Sequence, residues 1–237
     1  MTTDKTIAKV VSSQFFVGLD LRQAQDPSAV AVVERAELVG EWDGAAFAYW
    51  REAELRLRHL ERMELGMRYP EVERRVRRMM ESRTLGGRCR LLVDATGVGR
   101  PVVDHLREAG LGEEMKAVMV TGGQVERSEG GLEYVPKRDL IIGLQLLLED
   151  ESLKITTELE YVGALKKEMA EMQVRVTPAG NEQFGAWRVG EHDDLVFAVA
   201  LACWGARKMY PGRLKGTDGH WVNEEAFWRM KRGMGWR

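Results

Sequence analysis

The stretch Phe15–Asp20 (FFVGLD) is an apolar run that ends in an aspartate, and it predicts a buried β-strand closed by a carboxylate. A second run of the same kind, Arg90–Asp94 (RLLVD), follows later in the chain. As neighbouring strands of one sheet, the two runs bring Asp20 and Asp94 to the same carboxyl edge. Open α/β sheets bind their ligands in the crevice beyond that edge.

A third acidic site precedes the longest apolar run of the sequence, Leu195–Trp204, which predicts a helix buried on most sides. Asp194, Ala198 and Ala202 are spaced four residues apart and share one face of that helix. Because alanines are small, this face can approach a sheet closely, and Asp194 then points to where the strands end. Asp193 is better placed as the residue that caps the helix.

The segments between these three sites predict a mixed sheet. Short strands at Ala29–Val33 and Arg51–His59, separated by a loop at residues 34–44, extend the first strand into an antiparallel meander. The alternation of the third strand turns His59 toward the core. The chain then alternates helix and strand, which predicts parallel strands and helices on both faces. The predicted helices begin at Tyr69, Pro101, Lys137 and Glu158, and two further strands cover Met115–Val120 and Gln173–Thr177.

Three carboxylates that converge on one point repel each other unless a cation neutralises them. Hard oxygen ligands select Mg²⁺ or Mn²⁺, and two such ions can clamp a phosphodiester for in-line attack by water. Asp26, on the loop after the first strand, can reach the same ions. The competing interpretation is structural: aspartates at the ends of elements often cap turns and helices.

Composition narrows the class of protein. Of the 237 residues, 44% are apolar and 30% charged, which is typical of a globular protein and excludes collagen, coiled coil and disorder. Two cysteines exclude a disulfide scaffold, and the start of the chain has no signal peptide, so we expect a cytoplasmic protein with no membrane partner. Residues 51–90 and 205–237 each carry a net charge of +5, around a middle of −7 at 101–171. The basic zones indicate either a groove for a phosphate backbone or solvated helix faces.

The three acidic stretches resemble the nuclease domain of the large terminase subunits of tailed phages, which has a ribonuclease H-like fold. The resemblance covers about Phe15–Trp204, and the order and spacing of the aspartates carry it. The stretches are Val17–Leu21 with Gln25 and Asp26, Leu91–Gly99, and Gly190–Leu195; weaker ones are Val135–Asp139 and Gly185–Arg188.

The resemblance implies metal-dependent endonucleolytic cutting of double-stranded DNA, in phage DNA packaging. It carries the catalytic carboxylates over to Asp20, Asp94 and the pair Asp193/Asp194, with Asp26 as a supporting metal ligand. The expected cofactor is a pair of Mg²⁺ or Mn²⁺ ions, and the expected products are a 5′-phosphate and a 3′-hydroxyl. Candidate contacts to DNA phosphates are Lys137, Arg138, Arg188 and Arg100, which as surface charges could equally have no such role.

The sequence departs from the family in one respect, because large terminases join this nuclease to an ATPase motor and no phosphate-binding Gly-x-x-x-x-Gly-Lys-Ser/Thr loop is present. A separate ATPase motor, a small terminase subunit or a portal protein is therefore an expected partner. We divide the chain into a flexible N-terminus (1–14), the ribonuclease H-like nuclease domain (15–208) and a basic, tryptophan-containing tail (209–237).

Three alternatives remain at this level. The first is a Holliday-junction resolvase-like nuclease of the same fold, which would prefer branched DNA. The second is a non-catalytic assembly module that keeps the fold without the reaction. The third, a nucleotide-binding protein of the related actin-like fold, needs more chain than this sequence provides.

Overall fold

The structure is a computed structural model that describes residues 9–21, 26–44, 47–96, 99–111, 115–176, 182–185, 192–209, 214–215 and 221–222. The helices are α1 (Tyr69–Met80), α2 (Gly99–Leu106, continued by a π-helical turn at Arg107–Leu111), α3 (Lys137–Glu149), α4 (Val162–Glu171) and α5 (Asp194–Met209). The strands are β1 (Lys9–Asp20), β2 (Ala29–Asp43), β3 (Ala48–Arg62), β4 (Cys89–Asp94), β5 (Met115–Thr121), β6 (Arg127–Glu129), β7 (Leu132–Pro136), β8 (Leu153–Ile155), β9 (Gln173–Val176), β10 (Glu182–Gly185), β11 (Leu214–Lys215) and β12 (Trp221–Val222).

The main sheet is mixed, in the order β12-β11-β3-β2-β1-β4-β5-β7-β6, with β8 also paired to β3. The strands β1, β2 and β3 pair antiparallel, whereas β1, β4, β5 and β7 pair parallel. Strands β9 and β10 form a separate hairpin. The predicted fold class, an antiparallel meander followed by parallel strands, is confirmed.

Alternating side chains of β1 divide the core into two layers. Phe16 packs on one face of the sheet with α3, α4 and α5, while Val17 and Leu19 pack on the other with α1 and the end of α2. Helices therefore cover both faces, as expected. No helix among the described residues is long and apolar enough to cross a membrane.

A helix and the sheet approach each other closely at Gly18 of β1. A Cβ atom on Gly18 would lie 2.0 Å from the carbonyl oxygen of Ala198 and 2.8 Å from the amide nitrogen of Ala202. Both atoms belong to the backbone of α5, so neither can rotate away. The prediction that the alanine face of this helix lies directly on the sheet is confirmed, and glycine in β1 is what permits it.

Three sequence-based boundaries were wrong. Residues 34–43 belong to β2 rather than to a loop, because they pair with the first half of β3 in one long hairpin. Strand β1 begins at Lys9, within the segment taken as the flexible N-terminus. Helix α4 begins at Val162 rather than at Glu158, since the chain first forms β8 and a turn.

The orientation of His59 was also wrong. The register between β2 and β3 shifts at Val32/Val33, where Arg58 is an extra residue in β3. The bulge reverses the alternation beyond it, so that Leu60 is buried with the α5 core while the His59 side chain is 44% exposed. Its Nε2 atom lies 3.2 Å from Glu61.

Candidate functional site

Asp20 and Asp94 occupy matching positions on neighbouring strands. Their Cα atoms are register partners at the end of the parallel β1–β4 pair, where strands lie about 4.8 Å apart. Both side chains point to the α5 face, because Gly18 and Leu92, two residues earlier on each strand, contact that helix. Asp20 is 1% exposed, and Asp94 Oδ1 accepts a hydrogen bond of 2.8 Å from the Thr96 backbone N–H.

An arginine links Asp194 to the row of paired residues that crosses the sheet at Asp20 and Asp94. The row runs from Asp94 to Asp20, then to Ala29 on β2 and Arg62 on β3. Arg62 Nε donates a hydrogen bond of 2.8 Å to Asp194 Oδ2. Since Asp194 is the first residue of α5 and 2% exposed, this contact fixes the start of the helix above the strand ends.

Glu168 of α4 completes this buried network. Arg62 also pairs with Glu168 through Nη2 and Oε1, and the second carboxylate oxygen of Glu168 accepts a hydrogen bond of 3.1 Å from the Val196 N–H. Val196 lies in the first turn of α5, where backbone N–H groups have no partner within the helix. Glu168 therefore holds the start of α5 to α4, while Arg62 holds it to β3.

The electrostatics of this network are strongly perturbed at Glu168. Burial and, after it, the negative charge of Asp194 raise the pKa of Glu168 to about 7, although Arg62 and the Val196 N–H favour the charged form. The pKa of Arg62 is raised in turn by its hydrogen bond and charge interaction with Asp194, against the opposing effect of burial, which is the largest single contribution. The two carboxyl groups of Asp194 and Glu168 thus outnumber the single positive charge of Arg62.

Asp193 faces the other side of the helix start. Its Oδ2 lies 3.4 Å from Lys137 Nζ, at the beginning of α3, and that ammonium group lies 4.3 Å from the centre of the Phe197 ring. His192 Nδ1 lies 3.9 Å from Asp194 Oδ1. Of the predicted DNA contacts, Lys137 is therefore next to the acidic site.

The remaining predicted site residues are Asp26, Arg138, Arg100 and Arg188. Asp26 is exposed on the loop between β1 and β2, at the same edge of the sheet. The Arg138 side chain is 16% exposed and its Nε atom lies 3.7 Å from Asp139 Oδ1. Its contact with a DNA phosphate stays a prediction. Arg100 is in the first turn of α2, and Arg188 lies outside the described residues.

The donors suit a hard divalent cation, since carboxylate oxygens are the ligands that Mg²⁺ and Mn²⁺ prefer. Asp194 Oδ1 is buried and makes no hydrogen bond to any described residue, which is the environment of an oxygen that a cation could satisfy. As the side chains stand, no three His, Cys, Asp or Glu residues among those described are close enough together to hold a metal.

Sequence reasoning missed Arg62 and Glu168. Arg62 lies beyond the predicted end of the third strand. In addition, the alternation of that strand does not predict the bulge at Arg58, which sets the register that brings Arg62 into the row of Asp20. A signal for Glu168 did exist, because it continues the stripe of Val162 and Leu165 on the buried face of α4. A carboxylate on an apolar stripe is rarely buried without a partner.

These observations define the fold as that of the nuclease domains of large terminase subunits, the ribonuclease H-like class. The large terminase nuclease of thermophilic phage G20c with bound magnesium superimposes with a TM-score of 0.55 at 22% sequence identity, over 84% of this chain and 85% of that one. The same nuclease with bound cobalt gives 0.54 at 22%, over 85% and 88%. The Thermus phage P74-26 large terminase nuclease domain gives 0.54 at 20%, over 89% of each chain. No protein-family model and no curated protein matches the sequence.

Proposed function

We propose that this chain is a divalent-metal-dependent DNA endonuclease of the terminase type. The observation that carries the proposal is the register pairing of Asp20 with Asp94 beneath the first residue of α5, Asp194. Solved nucleases of the same fold contain magnesium or cobalt, which supports a divalent cation as the cofactor. Asp20, Asp94 and Asp194 are the proposed metal ligands, with Asp193 and Asp26 as supporting carboxylates.

The reaction follows from the donor set. Two bound Mg²⁺ or Mn²⁺ ions would activate water and stabilise the leaving oxygen of a phosphodiester. The chain's own residues do the positioning: the paired strands hold Asp20 and Asp94, and Arg62 holds Asp194 through one oxygen. Lys137, beside Asp193, is placed to attract a DNA phosphate to the edge of the sheet.

The cellular role belongs to the same proposal. A nuclease of this fold would act in phage DNA packaging, in the host cytoplasm, on double-stranded DNA. The proposed partners that would deliver that DNA are an ATPase motor, a small terminase subunit or a portal protein.

The direct test is cleavage of supercoiled plasmid in the presence of Mn²⁺. We expect Asp94→Asn and Asp194→Asn each to lower the cleavage rate by roughly 10²–10³-fold, as when one preorganised electrostatic group is lost from an active site. Asp104→Asn is the matched control, because Asp104 is an exposed acid on α2 whose carboxylate pairs only with Arg107 among the described side chains. Cutting that persists in both site variants would refute the assignment.

Two further measurements separate the alternatives. A preference for four-way junctions over linear duplex would favour the resolvase-like nuclease. Calorimetry that detects no Mn²⁺ binding, together with an inactive wild-type protein, would favour the non-catalytic assembly module. Ligation of the products without prior phosphorylation would establish the 5′-phosphate end.

A further inference from the structure

The surface of α1 and of the turns that flank it is unusually rich in arginine. Residues 68–90 contain eight arginines, no lysine and three glutamates, in a chain whose net charge is −2. Six of the arginines are exposed, so the charge faces solvent rather than the core. The six exposed arginines are Arg68, Arg74, Arg75, Arg78, Arg83 and Arg88.

The helical period explains why α1 exposes them on one side. Val72, Val76 and Met80 are buried against β1 and β2, and they recur every four residues along one stripe. Arg74, Arg75 and Arg78 occupy the opposite side, where residues three and four apart are neighbours. We call these three residues the arginine face.

The positive charge of this region is poorly compensated within the protein. Arg75 pairs with Glu61 of β3. Arg78 Nε donates to the Arg74 carbonyl oxygen, at 3.3 Å, which leaves both charges in place. In the described part of the chain, no carboxylate lies within 4.0 Å of the guanidinium group of any of the exposed arginines other than Arg75. Like charges four residues apart destabilise an isolated helix, so Arg74 and Arg78 gain nothing from each other.

Helix α1 extends away from the proposed active edge. It starts seven residues after Arg62, which belongs to the same row of the sheet as Asp20 and Asp94. Its last residue, Met80, accepts a hydrogen bond of 3.8 Å through its carbonyl oxygen from Cys89 Sγ, at the start of β4 and therefore at the opposite edge of the sheet. At 1.5 Å per residue, Arg74 and Arg78 lie about 8 and 14 Å along the axis from the first residue of α1. The helix packs on the face of the sheet opposite to α5. The arginine face therefore lies outside the acidic site, and Arg75, which contacts Glu61, connects it to the end of β3.

We propose that the arginine face binds the phosphate backbone of the DNA duplex away from the point of cleavage, as an anchor that reads no sequence. The proposal rests on the proposed nuclease function and assigns DNA contact to residues outside the acidic site. Phosphate is the preferred partner of this set, because guanidinium groups bind phosphate oxygens bidentately and remain charged at every relevant pH. The alternative partner, an acidic protein surface, is distinguished by the same experiment.

The test measures DNA binding without metal, so that cleavage does not enter. A fluorescein-labelled duplex of about 30 base pairs is titrated in EDTA with the wild-type protein and the triple variant Arg74→Gln/Arg75→Gln/Arg78→Gln, at salt from about 50 to 200 mM. We expect the variant to bind at least about tenfold more weakly at the lowest salt, with a salt slope shallower by roughly two to three.

The matched control removes the same charge elsewhere: Lys116→Gln/Arg107→Gln/Arg127→Gln, three partly or fully exposed cations that pair with acids on α2, β6 and β7. It should bind DNA within twofold of the wild-type protein. Equal weakening by both triple variants would attribute the effect to net charge and overturn the proposal. Unchanged binding by the arginine-face variant, or no duplex binding by the wild-type protein, would overturn it as well.

The two proposals fail separately. Asp194→Asn should retain duplex binding in EDTA and lose cleavage, whereas the arginine-face variant should lose binding and still cut at high DNA concentration. Cleavage that survives Asp194→Asn would refute the active site and leave the anchor intact. Circular dichroism of each variant establishes that it is folded, and the exposed positions make folding defects small.

Discussion

Helices α5 and α1 pack against opposite faces of the same strand, β1, and they do so in opposite ways. Twelve of the sixteen residues of α5 are buried, and its alanines touch the backbone of the sheet. Only four of the twelve residues of α1 are buried, and arginines cover its outer side. Close backbone packing therefore holds α5 against the sheet, and with it Asp194 at the start of the helix. Helix α1 is free to present charge to solvent.

The largest effect should come from adding one carbon between β1 and α5. Gly18→Ala places a Cβ atom against the backbone of Ala198, and the helix must move outward because no side chain can yield. We expect a loss of at least about 3 kcal/mol in the free energy of unfolding, at the upper end for overpacked cores. Urea denaturation measures it.

Gly163→Ala is the control for that substitution, since a Cβ atom on Gly163 of α4 meets no atom within 4 Å. Alanine there should leave stability unchanged or raise it by up to about 1 kcal/mol. Gly18→Ala could instead lower the free energy of unfolding by less than an ordinary surface substitution does. Helix α5 would then not be held tightly against the sheet, and it would not differ from α1 in this respect.

A smaller loss of stability is expected when Arg62 of β3, which contacts the start of α5, is replaced. Arg62→Met leaves Asp194 and Glu168 buried without their cation, which typically costs several kcal/mol for a fully buried pair. Because 23% of the Arg62 side chain is exposed, water can enter, and we expect about 2 kcal/mol by urea denaturation. Arg75→Met, which breaks an ion pair of a half-exposed arginine, should cost less than about 1 kcal/mol. An equal loss in the free energy of unfolding for the two substitutions would contradict the proposal that Arg62 holds the start of α5 to β3.

The last expected effect is a dependence of stability on pH that belongs to Glu168. Burial raises its pKa to about 7 from an ordinary value of 4.5, so the folded protein keeps a proton that the unfolded chain has already lost. The resulting contribution to stability is present below pH 4.5 and is lost as the pH rises through about 7. Between pH 5 and pH 8 the wild-type protein should lose up to about 2.5 kcal/mol more than Glu168→Gln.

Denaturant midpoints at the two pH values measure this difference, and Glu160→Gln, at an exposed position near the start of α4, is the control. Parallel pH profiles for the wild-type protein and Glu168→Gln would show that Glu168 is charged in the folded state. The network would then be an ordinary ion-pair cluster around Arg62.

Local sequence patterns were sufficient to predict the strands and helices whose positions are set by neighbouring residues. The apolar runs before Asp20 and Asp94 predicted two strands that are neighbours in the sheet, and the four-residue spacing of Asp194, Ala198 and Ala202 predicted the face of α5 that meets it. The start of α3 at Lys137 was predicted as observed, because Pro136 and the charged residues after it mark that start.

Patterns failed where a distant partner decides the structure. Residues 34–43 read as a loop, yet pairing with β3 makes them a strand. His59 read as a core residue, yet one extra residue in the ladder turns it outward. Short strands such as β8 carry too few residues for a periodic signal and exist only because β3 offers a free edge.

The amino-acid sequence by itself determined the fold class and the candidate carboxylates Asp20, Asp94 and Asp194, because a strand or helix end is marked by the residues next to it. The tertiary structure alone decided that Arg62 and Glu168 hold the start of α5, and that the start of the helix lies above the row of Asp20 and Asp94. These contacts join residues more than 25 positions apart along the chain. Their energy depends on burial and register, which no local pattern encodes.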